Sequence, residues 1–322
     1  MSSVSEKKPK AKQLLDRFRG VFPAIPTPVT EDNEIDCTAL RRLVIYLLDG
    51  GVHGIWALGS GGEFTALTRE ERRLTLHTIV DEVEGRVPVL GCISSCCIKE
   101  VEANAQLVAE AGADGAFMIA PYYFRYSLED IYRFFERAAF ASPLPLVIYH
   151  NSHNSGIRLS VEIVDSLSRH ENIIGIKDAG CDFALHQALL TAFRDRDDFV
   201  VFQGDDTAMA SAFLFGSAGT VAALPVIAPR LIVQLFEAGQ EGDVATAHQL
   251  QRKGMDLFKI YEVTGEMNDS SFLATQKAAL ELLGLCTRRP VAPAAPLDPS
   301  LLPKVREILS RHDLPMRGGD SQ

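Results

Sequence analysis

The chain has 322 residues, of which 47% are hydrophobic and 23% charged, with a formal net charge of -10. These values fit a soluble globular protein with a large core, and the acidic balance argues against a general binder of nucleic acid, which needs concentrated positive charge. No apolar run approaches the roughly 18–20 residues that span a bilayer, and the six cysteines lack paired Cys-x-x-Cys elements of zinc-site spacing, so buried reduced thiols and a cytoplasmic location are expected.

Residues 1–20, with Glu6, Lys7, Lys8, Pro9 and Lys12, read as a charged disordered tail without the apolar segment of a signal peptide. From residue 21, short β-rich apolar runs alternate with segments of helical period. Strands are predicted at 21–29, 54–59, 87–93, 115–121, 145–150, 173–179, 199–205 and 219–224. Thr68 and Glu71 form a capping box, Ser127 with Glu129 and Asp130 opens a later helix, and Gly50-Gly51 and Gly112 end two others. Eight βα units within about 200 residues predict an α/β fold, a (β/α)8 barrel over 21–225, better than an open doubly wound sheet. Helical stretches at 243–266 and 271–284, a Pro-rich connector at 290–299 and a short last helix predict a last barrel helix and C-terminal helical appendage over 226–315, then a tail at 316–322.

Chemistry in such barrels gathers at the C-terminal ends of the strands. Four ends stand out: Gly59-Ser60-Gly61-Gly62-Glu63, Pro121-Tyr122-Tyr123, Tyr149-His150-Asn151, and Lys177 within Ile-Ile-Gly-Ile-Lys-Asp-Ala. A lysine closing an apolar strand needs a reason. Burial disfavours the charged form of an amine and leaves free base able to attack a carbonyl carbon; the alternative is a stem laid on apolar surface with its head reaching water or Asp178. The glycine-rich turn offers backbone N–H groups to a carboxylate, and Ser60 and Gly61 are the expected clamp. A dinucleotide loop is the competing reading, but no acidic residue ends a strand about 20 positions on.

The ordered series Pro26-Thr27-Pro28, Gly-Ser-Gly-Gly-Glu, Pro-Tyr-Tyr, Ile-Tyr-His-Asn, Gly-Ile-Lys-Asp and Gly204-Asp205-Asp206 resembles the dihydrodipicolinate synthase and N-acetylneuraminate lyase family of pyruvate-dependent class I aldolases. The match runs from Val21 to about Gly284, with 28 positions between Tyr149 and Lys177, the family's own interval. The resemblance implies a Schiff-base lyase that needs no cofactor or metal. Lys177 would form the imine with pyruvate or another 2-oxo acid, Tyr149 relay protons, and Ser60 pass them on. Tyr123 would reach across a subunit interface, which implies a homo-oligomer, a dimer at least and a homotetramer in many family members.

Departures bear on the substrate. Gly61 stands where the family usually has threonine, Asn154 where the synthase has an arginine for its second substrate, and Pro225 where an asparagine is common. A neutral amide cannot replace a bidentate cation. These changes count against lysine biosynthesis. The expected substrate-binding set is Ser60, Gly61, Gly62, His150, Asn151, Asn154, Asp205, Asp206 and Val221. Of these, His150, Asn151 and Asn154, with His153, are expected to face Asp205 and Asp206 and to suit hydroxyls, which points to a hydroxylated aldehyde as the partner of pyruvate. A sugar-acid dehydratase or a synthase-type condensation would use the same imine. A metal-dependent aldolase on His150, His153, Asp205 and Asp206, and a 2-oxo acid binding protein without turnover, are the alternatives of other classes.

Overall fold

The computed structural model describes residues 15–316. Eight parallel strands close into a barrel in chain order: β1 (Gly20–Ile25), β2 (Ile55–Ala57), β3 (Val89–Cys92), β4 (Gly115–Ile119), β5 (Leu146–His150), β6 (Ile173–Asp178), β7 (Val200–Gln203) and β8 (Gly219–Ala222). Closure pairs β1 with β8 from Gly20–Gly219 to Pro23–Ala222. Glycine is required at 219: its φ is +158°, and a Cβ there would lie 1.9 Å from the Gly20 carbonyl oxygen.

Most strands are shorter than the sequence suggests because their C-terminal residues leave the ladder to build the barrel mouth. In β1 the cause is covalent, since Pro26 and Pro28 have no N–H to donate. The outer helices are α1 (Cys37–Asp49), α2 (Arg69–Val83), α3 (Ile98–Glu110), α4 (Leu128–Ala141), a short α5 (Ser152–Ser155), α6 (Val161–Leu167), α7 (Phe183–Phe193), α8 (Met209–Leu214), a short α9 (Leu224–Ile227) and α10 (Pro229–Gln240). After them come α11 (Val244–Phe258), α12 (Asp269–Leu282) and α13 (Leu302–Leu309). The capping box of α2 forms as expected, and Ser127 caps α4 by accepting from the Asp130 N–H.

The barrel is filled by aromatic side chains. Phe22 and Phe202 meet edge to face, and Trp56 stacks on Phe117 with ring centroids 3.6 Å apart.

The tail expected over 1–20 begins outside the described residues, but its last part is ordered. A helical turn at 15–17 buries Leu15, and Phe18 is wholly buried against Gly115, because the strand ends there leave an apolar surface that these two side chains cover. In the tail expected at 316–322, only Met316 is described; 317–322 lie outside the described residues. Of the six cysteines only Cys92 and Cys286 are buried; Cys37 is intermediate, and Cys96, Cys97 and Cys181 are exposed at loop or helix starts. No helix among the described residues is long and apolar enough to cross a membrane.

Candidate active site

Strand alternation sorts the residues of β5 and β6. Tyr149 is the register partner of Lys177, and His150 that of Asp178, so the first pair points into the barrel and the second outward toward the helices. Lys177 and Tyr149 are both buried, and the Lys177 Nζ lies 4.3 Å from the centre of the Tyr149 ring and 5.5 Å from that of Trp56. The amine stands on an aromatic floor.

The Tyr149 hydroxyl is held from two sides. Ser60 Oγ lies 3.0 Å away in a hydroxyl pair, and the Asn151 Nδ2 donates to it at 3.1 Å. Asn151 also donates to Asn154 Oδ1 at 2.6 Å, and its Oδ1 accepts the Asn154 N–H that starts α5. Asn154 passes the chain on to Asp269 at 2.8 Å. The fifth loop is thus tied to the start of α12.

Above Lys177 opens a cavity of about 600 Å³, lined by Ser60, Gly61, Tyr149, Asn151, His153, Asn154, Lys177, Asp206 and Val221, with Asp269, Phe272 and Gln276 from α12. Asp206 accepts from the backbone N–H groups of Ala223 and Leu224, and burial pushes its carboxyl up to about 6 despite those bonds.

The Ser60 turn is strained and braced. Leu58 and Glu63 have φ of 62° and 58° without being glycine. A Cβ on Gly62 would sit 2.8 Å from the Leu58 Cα, and one on Gly61 would press at 3.0 Å on the Ala24 carbonyl. Glu63 is fixed by Lys277 of α12 at 2.6 Å and by the Val291 N–H at 2.6 Å; Lys277 also donates to the Thr27 carbonyl, and Thr27 to that of Gly62. Burial raises the Glu63 carboxyl, and the Lys277 ammonium pulls the other way.

Four expected site residues fall elsewhere. His150 is not a cavity residue, because β5 turns it outward, where its Nδ1 meets Asp178 at 2.8 Å and its Nε2 accepts the Leu159 N–H, which fixes the Nδ1–H tautomer. His186 contacts the same carboxylate, and although burial alone would raise it, the two histidines hold Asp178 well below the usual carboxylate range. Asp205 caps the turn at Thr207 through its side chain, away from the cavity lining. Gly62 packs beneath the turn rather than facing the cavity. Tyr123 is 80% exposed, beside exposed Phe124 and Tyr126, while its neighbour Tyr122 lines the cavity. Among the described residues, no three His, Cys, Asp or Glu side chains gather where they could hold a metal ion.

Sequence reasoning missed the part played by α12, which was read as an appendage. Its signal was Thr275-Gln276-Lys277 inside an otherwise apolar helical run, three polar residues all buried.

A closed eight-stranded parallel barrel with a buried lysine beside a buried tyrosine at its mouth is an arrangement in which an amine can meet a carbonyl compound. The profile of the dihydrodipicolinate synthetase family matches residues 17–312, and the chain belongs to that family. It is 33% identical to the 4-hydroxy-tetrahydrodipicolinate synthase of Methanoculleus marisnigri, over 92% of this chain and 99% of that one. It is 32% identical to YagE of Escherichia coli K12, provisionally named a 2-dehydro-3-deoxy-D-gluconate aldolase, over 91% and 97% of the two chains. The crystal structure of YagE in complex with pyruvate superposes with a TM-score of 0.86, covering 91% of this chain and 98% of that one at 31% identity. The dihydrodipicolinate synthase of Bacteroides thetaiotaomicron gives 0.87, covering 91% and 98% at 30% identity. The chain is therefore an enzyme, a pyruvate-dependent lyase of the class I aldolase type.

Proposed function

We propose that Lys177 forms the imine and that the enzyme cleaves or makes a hydroxylated 2-oxo acid, with pyruvate and a hydroxylated aldehyde as its two halves. The single observation that carries this is the placement of the Lys177 amine beside Tyr149, whose hydroxyl is bonded to Ser60 and Asn151 at the floor of the cavity. The amine attacks the keto carbon, and the carbinolamine loses water to give a protonated imine. In the cleavage direction the C3–C4 bond breaks, its electrons pass into the imine to form an enamine, and the C4 hydroxyl proton leaves as the aldehyde forms. Tyr149, with Ser60 behind it, carries protons to and from the carbinolamine oxygen and the departing aldehyde. Ser60 and the Gly61 N–H hold the substrate carboxylate. Asn151, Asn154, Asp206 and Val221 line the remainder, with His153 and Asp269, and neutral or hydrogen-bonding groups of this kind suit hydroxyls.

The synthase-type condensation is the weaker reading, because Asn154 is engaged with Asp269 and brings no cation to a second carboxylate. A dehydratase using the same imine is separated by identifying the product. Tyr123, Phe124 and Tyr126 form an exposed aromatic patch that a second subunit would cover, making the working unit a cytoplasmic homo-oligomer, a dimer or homotetramer. Borohydride reduction in the presence of pyruvate tests the proposal. A stable adduct located on Lys177 by mass spectrometry is expected; its absence, or an equal adduct on the Lys177→Ala variant, overturns it.

A further inference from the structure

We propose that Gln276 is a specificity-determining residue whose carboxamide N–H donates to the carboxylate of the bound 2-oxo acid. This rests on the Schiff-base reading of Lys177. Gln276 lies on α12 in the cavity wall, 1% exposed, and neither its Oε1 nor its Nε2 has a hydrogen-bond partner among the described residues. Its neighbours are satisfied. Thr275 bonds the Ser271 carbonyl, and Lys277 bonds Glu63 and the Thr27 carbonyl. Buried polar atoms are rarely left unpaired, so a buried amide in a cavity wall without a well-formed bond at either end marks a missing partner.

The position of that amide says what the partner is. Its Oε1 lies 3.7 Å from the point where a Cβ on residue 61 would stand, so the amide borders the Gly61 N–H assigned to the carboxylate. Gly61 puts no side chain of its own between them; the other neighbour of that point is Ala24, whose carbonyl oxygen is 3.0 Å away. Amide orientation is set by hydrogen bonding, and here neither end makes a well-formed bond, Tyr261 being the polar side chain against it. A carboxylate selects the orientation with Nε2 inward. Oε1 is then left for the buried Tyr261 hydroxyl, which already lies against the Gln276 side chain without a well-formed hydrogen bond and keeps its proton because burial raises its pKa well above the ordinary value.

The test uses the full chain and borohydride trapping at Lys177, titrated with pyruvate and with hydroxyacetone, a ketone without a carboxylate. Gln276→Leu is expected to raise the half-saturating pyruvate concentration about tenfold or more, and Gln276→Glu, which sets a negative charge against the carboxylate, about a hundredfold or more. Hydroxyacetone trapping should stay within about twofold in both, which also shows that the variants are folded. Wild-type pyruvate saturation in Gln276→Leu overturns the proposal, and so does an equal loss of both ketones in both variants, which would make the residue structural. A wild-type enzyme that pyruvate does not label would instead overturn the reading of Lys177.

Discussion

Replacing Lys277 by methionine tests whether the Ser60 turn is held by a buried ion pair. Lys277 is fully buried, and the Glu63 side chain is 2% exposed. Methionine fills much the same volume but leaves the carboxylate with the Val291 N–H alone and the Thr27 carbonyl without its donor. Removing one partner of a buried pair typically destabilises by about 3–5 kcal/mol. An unfolding entropy of about 2.1 cal/mol/K per residue over 322 residues turns that into a fall in Tm of about 4–7 °C.

The deficit should depend on pH with a definite sign. Without the ammonium, burial dominates at Glu63 and its carboxyl rises further, so the folded variant keeps a proton that the unfolded chain has released. Stability conferred by that proton is present below the ordinary carboxylate range and is lost as pH rises through the folded pKa, at up to about 1.4 kcal/mol per pH unit. The Tm gap to wild type should therefore widen between pH 5 and pH 8, by differential scanning calorimetry. The turn would also loosen, and with it the Ser60–Tyr149 contact, so kcat should fall. Glu63→Gln combined with Lys277→Met removes the stranded charge and should recover most of the loss. A Lys277→Met variant melting within about 1 °C of wild type, or a gap that narrows as pH rises, refutes the reasoning.

Tyr149→Phe keeps the ring under Lys177 and deletes the hydroxyl; kcat should fall about 10²–10³-fold with KM within a few-fold, measured by coupled detection of pyruvate, and a loss below threefold would remove Tyr149 from proton transfer. Ser60→Ala should cost about tenfold by the same assay. Asp206, with its carboxyl near 6, should give kcat/KM an acidic limb near that pH, lost in Asp206→Asn; a limb that persists there belongs to another group. Asp178→Asn should lower stability by about 2–4 kcal/mol at pH 7, since the amide keeps one acceptor oxygen but turns an N–H2 toward the other buried histidine and removes the charge. Because the native carboxyl is held low, its contribution is present above the ordinary carboxylate pKa and lost as pH falls, so the deficit in thermal melts should shrink below about pH 4.

The barrel was legible because each strand is a short β-rich run with its own start and stop signals, and all eight appear where the alternation places them. Lys177 and Tyr149 were legible for the same reason: a lysine ending an apolar strand and a tyrosine at the matching end of the preceding strand stand out against their neighbours. His150 was not legible, because adjacency to Tyr149 in sequence is not proximity to the site: strand alternation sends neighbours to opposite faces. The same holds for Asp205, one residue from Asp206 but turned to cap a loop.

What sequence pattern conveys least is the wall built by distant segments. Glu63 and Lys277 are 214 positions apart in the chain, and no local periodicity joins them. Their union still has a sequence-level trace, since an apolar helix that buries Gln276 and Lys277 side by side must offer each a reason. Lys277 finds its reason in Glu63, which braces the strained turn. Gln276 has only the Tyr261 hydroxyl beside it, without a well-formed bond, and the cavity it borders is where a ligand carboxylate would supply a partner. If Gln276 proves indifferent to that carboxylate, Gln276 and Lys277 have unrelated roles; if it responds, α12 both holds the turn and reads what binds against it.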